Sequence, residues 1–200
     1  MFFGSIHLIL ISGPPRTGKN RAGLLLATEL GGDHFALSDY LKIETHKHYE
    51  LDNAADVFYF EQTKDEKSSY FKGKTPREAY IDFSENILKP RYGLGYLGEI
   101  ARSRVLDNIN KKVISIVSGV GFYEEVYPLI VSANPQNTVH IRIINSNGQS
   151  GCFTDSRKHL DFSHLGVSEV ELHHNDEDRF LNQVLKHLDE AFFLTDKPIN

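Results

Sequence analysis

Three apolar runs punctuate the chain, and each reads as a buried strand. Ile6-His7-Leu8-Ile9-Leu10-Ile11 is the first, Val113-Ile114-Ser115-Ile116-Val117 the second, and Thr138 to Ile144, with Val139, Ile141 and Ile143, the third. Runs of this kind suit strands covered on both faces. A shorter strand is predicted near Val170-Leu172. Between them the apolar period lengthens to that of helices. One helix runs from after Gly18 through Leu30 and ends at Gly31-Gly32. Thr75-Pro76-Arg77-Glu78 is a capping box with proline at the first helical position, followed by Ala79, Phe83 and Ile87 at helical spacing until Pro90 stops the run. Further helices are predicted over Tyr96 to Asn110, around Glu124 to Ser132, and at the end of the chain, where Phe180, Val184 and Leu188 recur at i, i+4, i+8. Strands alternating with helices imply an α/β fold, a parallel sheet with helices on both faces. The polar, aromatic-rich stretch from Tyr49 to Lys74 fits neither period and predicts an inserted or substrate-covering element rather than sheet.

The turn after the first strand changes the picture from architecture to chemistry. Gly13-Pro14-Pro15-Arg16-Thr17-Gly18-Lys19 has the G-x-x-x-x-G-K pattern, placed after a buried strand and before a helix. Glycines let backbone N–H groups wrap a phosphate, the helix terminus adds its dipole, and Lys19 brings a full charge to the β/γ-phosphates. The expected cofactor-binding residues are therefore Gly13, Pro14, Pro15, Arg16, Thr17, Gly18, Lys19 and Asn20. At Asn20 a P-loop protein usually has Ser or Thr, whose hydroxyl ligates Mg²⁺. An amide oxygen is a poorer ligand that reaches a metal through water, so no direct metal ligand is assigned.

Composition narrows the class. With 200 residues, 40% hydrophobic and 24% charged, the chain suits a single globular domain with a real core. A net charge of -5 argues against broad electrostatic binding of nucleic acid. The lone Cys152 excludes an internal disulfide framework, and no stretch approaches the roughly 20 apolar residues of a membrane helix. A cytoplasmic protein is expected, with nucleotide substrates as partners, no nucleic acid and no membrane, and with a homodimer left open.

Several blocks then resemble one family, the deoxynucleoside monophosphate kinases and related P-loop kinases common in bacteriophages. They are Ser12-Gly13 to Lys19-Asn20, Lys64-Asp65, Gly73 to Glu78, Lys89-Pro90 and Gly93, Val117 to Phe122 with Glu124-Glu125, and Gly151-Cys152-Phe153 with Asp155-Ser156-Arg157. The resemblance implies an adenylate-kinase-like P-loop NTPase fold with a five-stranded parallel sheet. It also implies an acceptor-covering region at about 38–95 and a lid-like segment at about 145–168. The implied reaction carries the γ-phosphoryl of ATP to a (deoxy)nucleoside monophosphate with Mg²⁺, in the host cytoplasm if the protein is phage-encoded. Lys19, Arg77 and Arg157 are the implied catalytic residues, and Lys64, Asp65 and Arg77 the acceptor-binding ones. Arg102 and Arg104 are weaker candidates. Where relatives carry a metal-supporting Asp, this chain has Gly119. Together with Asn20 this keeps two alternatives in view. One is a nucleotide-binding regulatory module with weakened catalysis; the other is a small-molecule kinase with a non-nucleotide acceptor.

Other signals point to bland roles. His46 and His48 diverge on a helix and His173-His174 point to opposite faces of a strand, so the ten histidines do not suggest zinc. Cys152 reads as a bystander thiol, and Val57-Phe58-Tyr59-Phe60 as core packing.

Overall fold

The computed structural model describes residues 6–14, 17–51, 59–144, 160–173 and 176–193. The elements are β1 (Leu8–Ser12), α1 (Lys19–Leu30), β2 (Asp33–Ala36), α2 (Leu37–His48), α3 (Pro76–Phe83), α4 (Lys89–Tyr92), α5 (Tyr96–Lys111), β3 (Ser115–Ser118), α6 (Tyr123–Ala133), β4 (Thr138–Ile144), β5 (Ser168–His173) and α7 (Glu177–Phe193). The strands form one five-stranded sheet in the order β2-β3-β1-β4-β5, with every neighbouring pair parallel. This is the α/β architecture, a parallel sheet with helices on both faces, expected from the alternation of strands and helices.

The period of two in β1 divides the core into two layers. Leu8 and Leu10 join Phe35, Leu37, Val105, Val126, Leu129 and Ile130 on the face covered by α5 and α6. Ile9 and Ile11 join Ala22, Leu26, Phe180, Val184 and Leu188 on the face covered by α1 and α7. The i, i+4, i+8 stripe of α7 is fully buried, as its spacing predicts. Burial of each such side chain contributes about 1.5–3 kcal/mol, enough to fix the helix to the sheet. β1 sits centrally, its successor helix crossing towards β2 while the chain beyond β4 continues to the other edge. The crevice at the carboxyl ends of β1 and β4 is where ligands bind in open α/β sheets.

Three expectations need correction. β2 carries no strand signal in the sequence, yet it pairs with β3 from Asp33 opposite Ser115 to Ala36 opposite Ser118. Pro90 does not stop its helix. The chain widens into a π-helical turn over Ser84–Leu88, where Lys89 N–H reaches Ser84 C=O, and helix resumes through Tyr92. The wider turn accommodates a residue that has no N–H to give, and the stop comes at Gly93. The second strand begins later than its apolar run, at Ser115.

The stretch that the sequence leaves unread holds a small core of its own. Phe60 and Phe71 are buried against Ala79, with Tyr49, Leu51 and Tyr80 around them. His46 of α2 closes this cluster, within 5.3 Å of the Phe60 ring centroid and 2.9 Å from Tyr80 Oη. Burial pushes the Tyr80 hydroxyl above its ordinary range. Phe60 is thus core, as expected, but Tyr59 beside it is 53% exposed and is not; Val57 and Phe58 lie outside the described residues, and His46 is packed among these rings.

Candidate functional site

The Gly13–Lys19 loop leaves β1 in a conformation that only its glycine permits. Gly13 has φ +146°, and a Cβ there would lie 2.4 Å from the Ile143 carbonyl oxygen of β4. The loop therefore starts in backbone contact with the neighbouring strand. Thr17 Oγ1 donates to the Pro14 carbonyl at 2.9 Å, drawing the loop across itself. The Lys19 ammonium folds back over it and donates to the same oxygen at 2.5 Å. A polyphosphate arriving here would be met by the Lys19 ammonium and by the positive end of the α1 dipole. Pro15 and Arg16 lie outside the described residues.

Asn20, on the first turn of α1, reaches sideways. Its Oδ1 accepts from Ser118 Oγ at 2.9 Å, at the end of β3, and Ser118 Oγ lies 2.9 Å from His34 Nε2 of β2. The next residue, Gly119, has a left-handed backbone (φ +73°), where an aspartate side chain would be strained. Glu124 is exposed, and Glu125 is buried on α6. Among the described residues no group of three His, Cys, Asp or Glu is placed to hold a metal. The donor set of this corner is one amide oxygen already turned to a hydroxyl, a hydroxyl, an imidazole and a glycine. It does not fit a directly ligated Mg²⁺, and the water-mediated role expected of Asn20 is not supported by where its oxygen points.

On the other side of the loop, Ser12 begins a buried polar chain. His140 Nδ1 donates to Glu169 Oε1 at 3.0 Å, and its Nε2 lies 2.8 Å from Ser12 Oγ, within hydrogen-bond reach. Burial works against the Glu169 charge. The hydrogen bonds from His140 and from the Phe162 N–H nevertheless hold its carboxyl below the usual range. Arg142, one step along β4, donates to the Leu160 carbonyl at 2.6 Å and pairs with Glu171. The order Ser-His-Glu resembles a hydrolytic triad, but Ser12 is 5% exposed and His140 fully buried. Its role is to tie the residue before the loop to the residues that follow position 159.

The implied acceptor residues come together at the start of α3. Thr75 Oγ1 accepts from Glu78 N–H and Glu78 answers to Thr75 N–H, the predicted capping box. Arg77 Nε donates to Asp65 Oδ1 at 2.7 Å, and its N–H donates to the Lys64 carbonyl at 3.1 Å. Lys64 in turn pairs with Glu61, which also accepts Lys42 of α2 at 3.0 Å. Burial would raise Glu61, yet the two ammoniums bring its carboxyl below the ordinary range. Arg157, with Asp155 and Cys152, lies outside the described residues. Arg104 forks onto Asp33 at 2.6 Å for both bonds and stacks 4.5 Å from the Phe35 centroid; Asp33 begins edge strand β2, whereas the loop leaves the carboxyl end of central strand β1. Arg102 bonds Ser132 at 2.9 Å and pairs with Glu99, joining α5 to α6.

A cluster missed in the sequence lies where β3 hands over to α6. The Lys89 side chain is 8% exposed; its ammonium pairs with Glu85 at 2.6 Å and sits 3.9 Å above the Phe122 centroid. Nearby, Glu125 is 5% exposed. Burial pushes its carboxyl up to about 7, with Lys89 pulling it down and Glu124 and Glu85 adding to the rise. The sequence signal was only the Glu124-Glu125 pair at a helix start, where solvent exposure is the usual outcome. A carboxyl raised above its unfolded pKa contributes stability that is full below about pH 4.5 and is lost as pH rises through about 7. The loss is on the order of 3 kcal/mol. Glu125→Gln is therefore expected to melt with the native chain near pH 4.5 and roughly 5–10 °C above it at pH 8. A variant that gains nothing at pH 8 would show the carboxyl to be solvated.

Comparison with known proteins adds little. No family model and no curated protein matches the chain. Among solved structures it is similar to the crystal structure of shikimate kinase from Aquifex aeolicus vf5, at 17% identity and a TM-score of 0.41, covering 91% of this chain and 96% of that one. A likeness that low identifies no substrate. Among the described residues no helix is long and apolar enough to cross a membrane.

Proposed function

We propose that the chain binds ATP at Gly13–Lys19 and transfers its γ-phosphoryl group to a (deoxy)nucleoside monophosphate. The observation that supports it best is the loop itself, a glycine in contact with β4, a lysine folded over the loop, and a helix opening behind it. Phosphoryl transfer asks little covalent chemistry of a protein; it needs two phosphates held in line and their charges countered. Lys19 serves the donor. Arg77 stands on the first turn of a capped helix, where its guanidinium and the positive end of the helix dipole together suit the acceptor phosphate. Asp65 holds that guanidinium in place, and Lys64 adds charge beside it. An acceptor-covering region at about 38–95, a lid over about 145–168 bearing Arg157, and a cytoplasmic setting belong to this reading.

The metal-poor corner at Asn20 and Gly119 favours a second reading, a nucleotide-binding regulatory module. Incubation with ATP·Mg²⁺ and a panel of NMPs and dNMPs, following ADP and diphosphate, separates the two. Transfer to one or more acceptors is expected, and Arg77→Ala is expected to raise the acceptor KM about 10–100-fold with little change in the KM for ATP. Tight ATP binding without transfer to any acceptor would favour the regulatory module.

A further inference from the structure

The polar chain behind the loop lysine runs one way. Ser118 has a single hydroxyl hydrogen and donates it to Asn20 Oδ1 at 2.9 Å. His34 Nε2, 2.9 Å from the same oxygen, must therefore be the donor of its pair. Burial holds the His34 imidazole below its ordinary pKa, so the ring is neutral and its one proton sits on Nε2. The orientation of that ring is built in. A Cβ at Gly23 would come within 2.3 Å of His34 Cδ2 and 2.4 Å of Nε2, so α1 keeps an open slot for the ring. Three elements, β2, β3 and α1, thus fix the order His34 to Ser118 to Asn20. Asn20 itself is exposed, and its Nδ2 donates to no described residue.

We propose that this chain converts Asn20 into a phosphate donor: Oδ1 is held on Ser118, and the Nδ2 hydrogens face the polyphosphate oxygens beside Lys19. The inference rests on the phosphate-binding reading of the loop and assigns its neighbour a task opposite to the one expected. A Ser or Thr there would offer an oxygen to a metal; the clamped amide offers hydrogens to an anion. Gly119, by supplying no carboxylate, leaves the same corner without a group that would repel an anion lacking its metal. The protein then recognises the polyphosphate directly and contributes no ligand to Mg²⁺ at this position.

Isothermal titration of the full chain with ATP and with inorganic pyrophosphate, in EDTA and in excess Mg²⁺, tests this. The native chain is expected to bind both anions in EDTA within roughly tenfold of its affinity in Mg²⁺. Asn20→Asp removes the donor and presents a negative charge. Metal-free binding should fall by about tenfold or more, and Mg²⁺ should restore much of it. Ser118→Ala releases the amide, and binding should then depend more strongly on Mg²⁺. Because Asn20 is exposed, its replacement leaves folding intact. A native chain that binds only with Mg²⁺, or an Asn20→Asp chain that binds as well in EDTA, overturns the inference alone if Lys19→Ala still abolishes binding. If the native chain binds neither anion in either buffer, or Lys19→Ala binds like the native chain, the phosphate-binding reading falls with it.

Discussion

Replacing Lys19 by alanine is expected to lower phosphoryl transfer by roughly 10²–10³-fold and to weaken ATP binding at least tenfold, with no loss of thermal stability. The ammonium donates to the Pro14 carbonyl of its own loop, an interaction the folded chain can spare because Thr17 Oγ1 holds the same oxygen. When a polyphosphate enters, the lysine exchanges that carbonyl for phosphate oxygens and becomes the one full positive charge in the described part of the loop. Charge accumulates on those oxygens as the γ-phosphoryl leaves, so the kinetic effect should exceed the effect on binding. Lys19→Arg is not expected to rescue, because a planar guanidinium does not reproduce a compact ammonium under a tight loop. The measurement is a pair: single-turnover transfer from ATP, and the melting temperature with and without ATP. Transfer that persists within a few-fold of native in Lys19→Ala would remove the loop from the chemistry.

What the sequence disclosed and what it concealed follow from how local each signal is. β1, β4 and α7 were readable because their burial repeats within one element, as Phe180, Val184 and Leu188 do. The capping box at Thr75 was readable because both its hydrogen bonds close within four residues. β2 was not, because Asp33 and His34 are only half-buried and the strand is pinned by distant polar groups, Arg104 and Asn108. The Arg104 hydrogen bonds hold the Asp33 carboxyl below its ordinary range, aided by Asn108. No window along the sequence contains both partners. The same holds for the site. Gly13 to Lys19 is one contiguous turn and announced itself. The chain of His34, Ser118 and Asn20 joins three elements and appears only when the strands are in register. Pro90 misled for a different reason: a proline is a stop signal only for a regular helix, and a π turn supplies the exception. Lys89 and Glu125 look like surface charges by residue type. Lys89 is covered by the Phe122 ring, and Glu125 is buried where α5 and α6 approach each other at Gly98.

That approach can be tested at one atom. A Cβ at Gly98 of α5 would lie 1.9 Å from the Glu125 carbonyl oxygen, 2.7 Å from its carbonyl carbon and 3.1 Å from its Cα. The obstacle is helix backbone, which cannot turn aside as a side-chain tip would. Gly98→Ala gains about 1 kcal/mol of helix propensity. The two helices must separate to admit the methyl group, disturbing Ala101 and Val105 where they share a core with Val126, Leu129 and Ile130. Overpacking of this kind costs about 3 kcal/mol or more, so the clash wins. The variant is expected to melt roughly 5–10 °C below the native chain at pH 5, whereas Ser103→Ala, on the exposed side of α5, should stay within about 2 °C. Separation would also admit water to Glu125, and the pH-dependent loss of stability described for that carboxyl should shrink in Gly98→Ala. A stable variant with the native pH dependence would show that the helices do not touch there. Loss of both together would tie the burial of Glu125, beside the carboxyl end of β3, to a single absent side chain on the neighbouring helix.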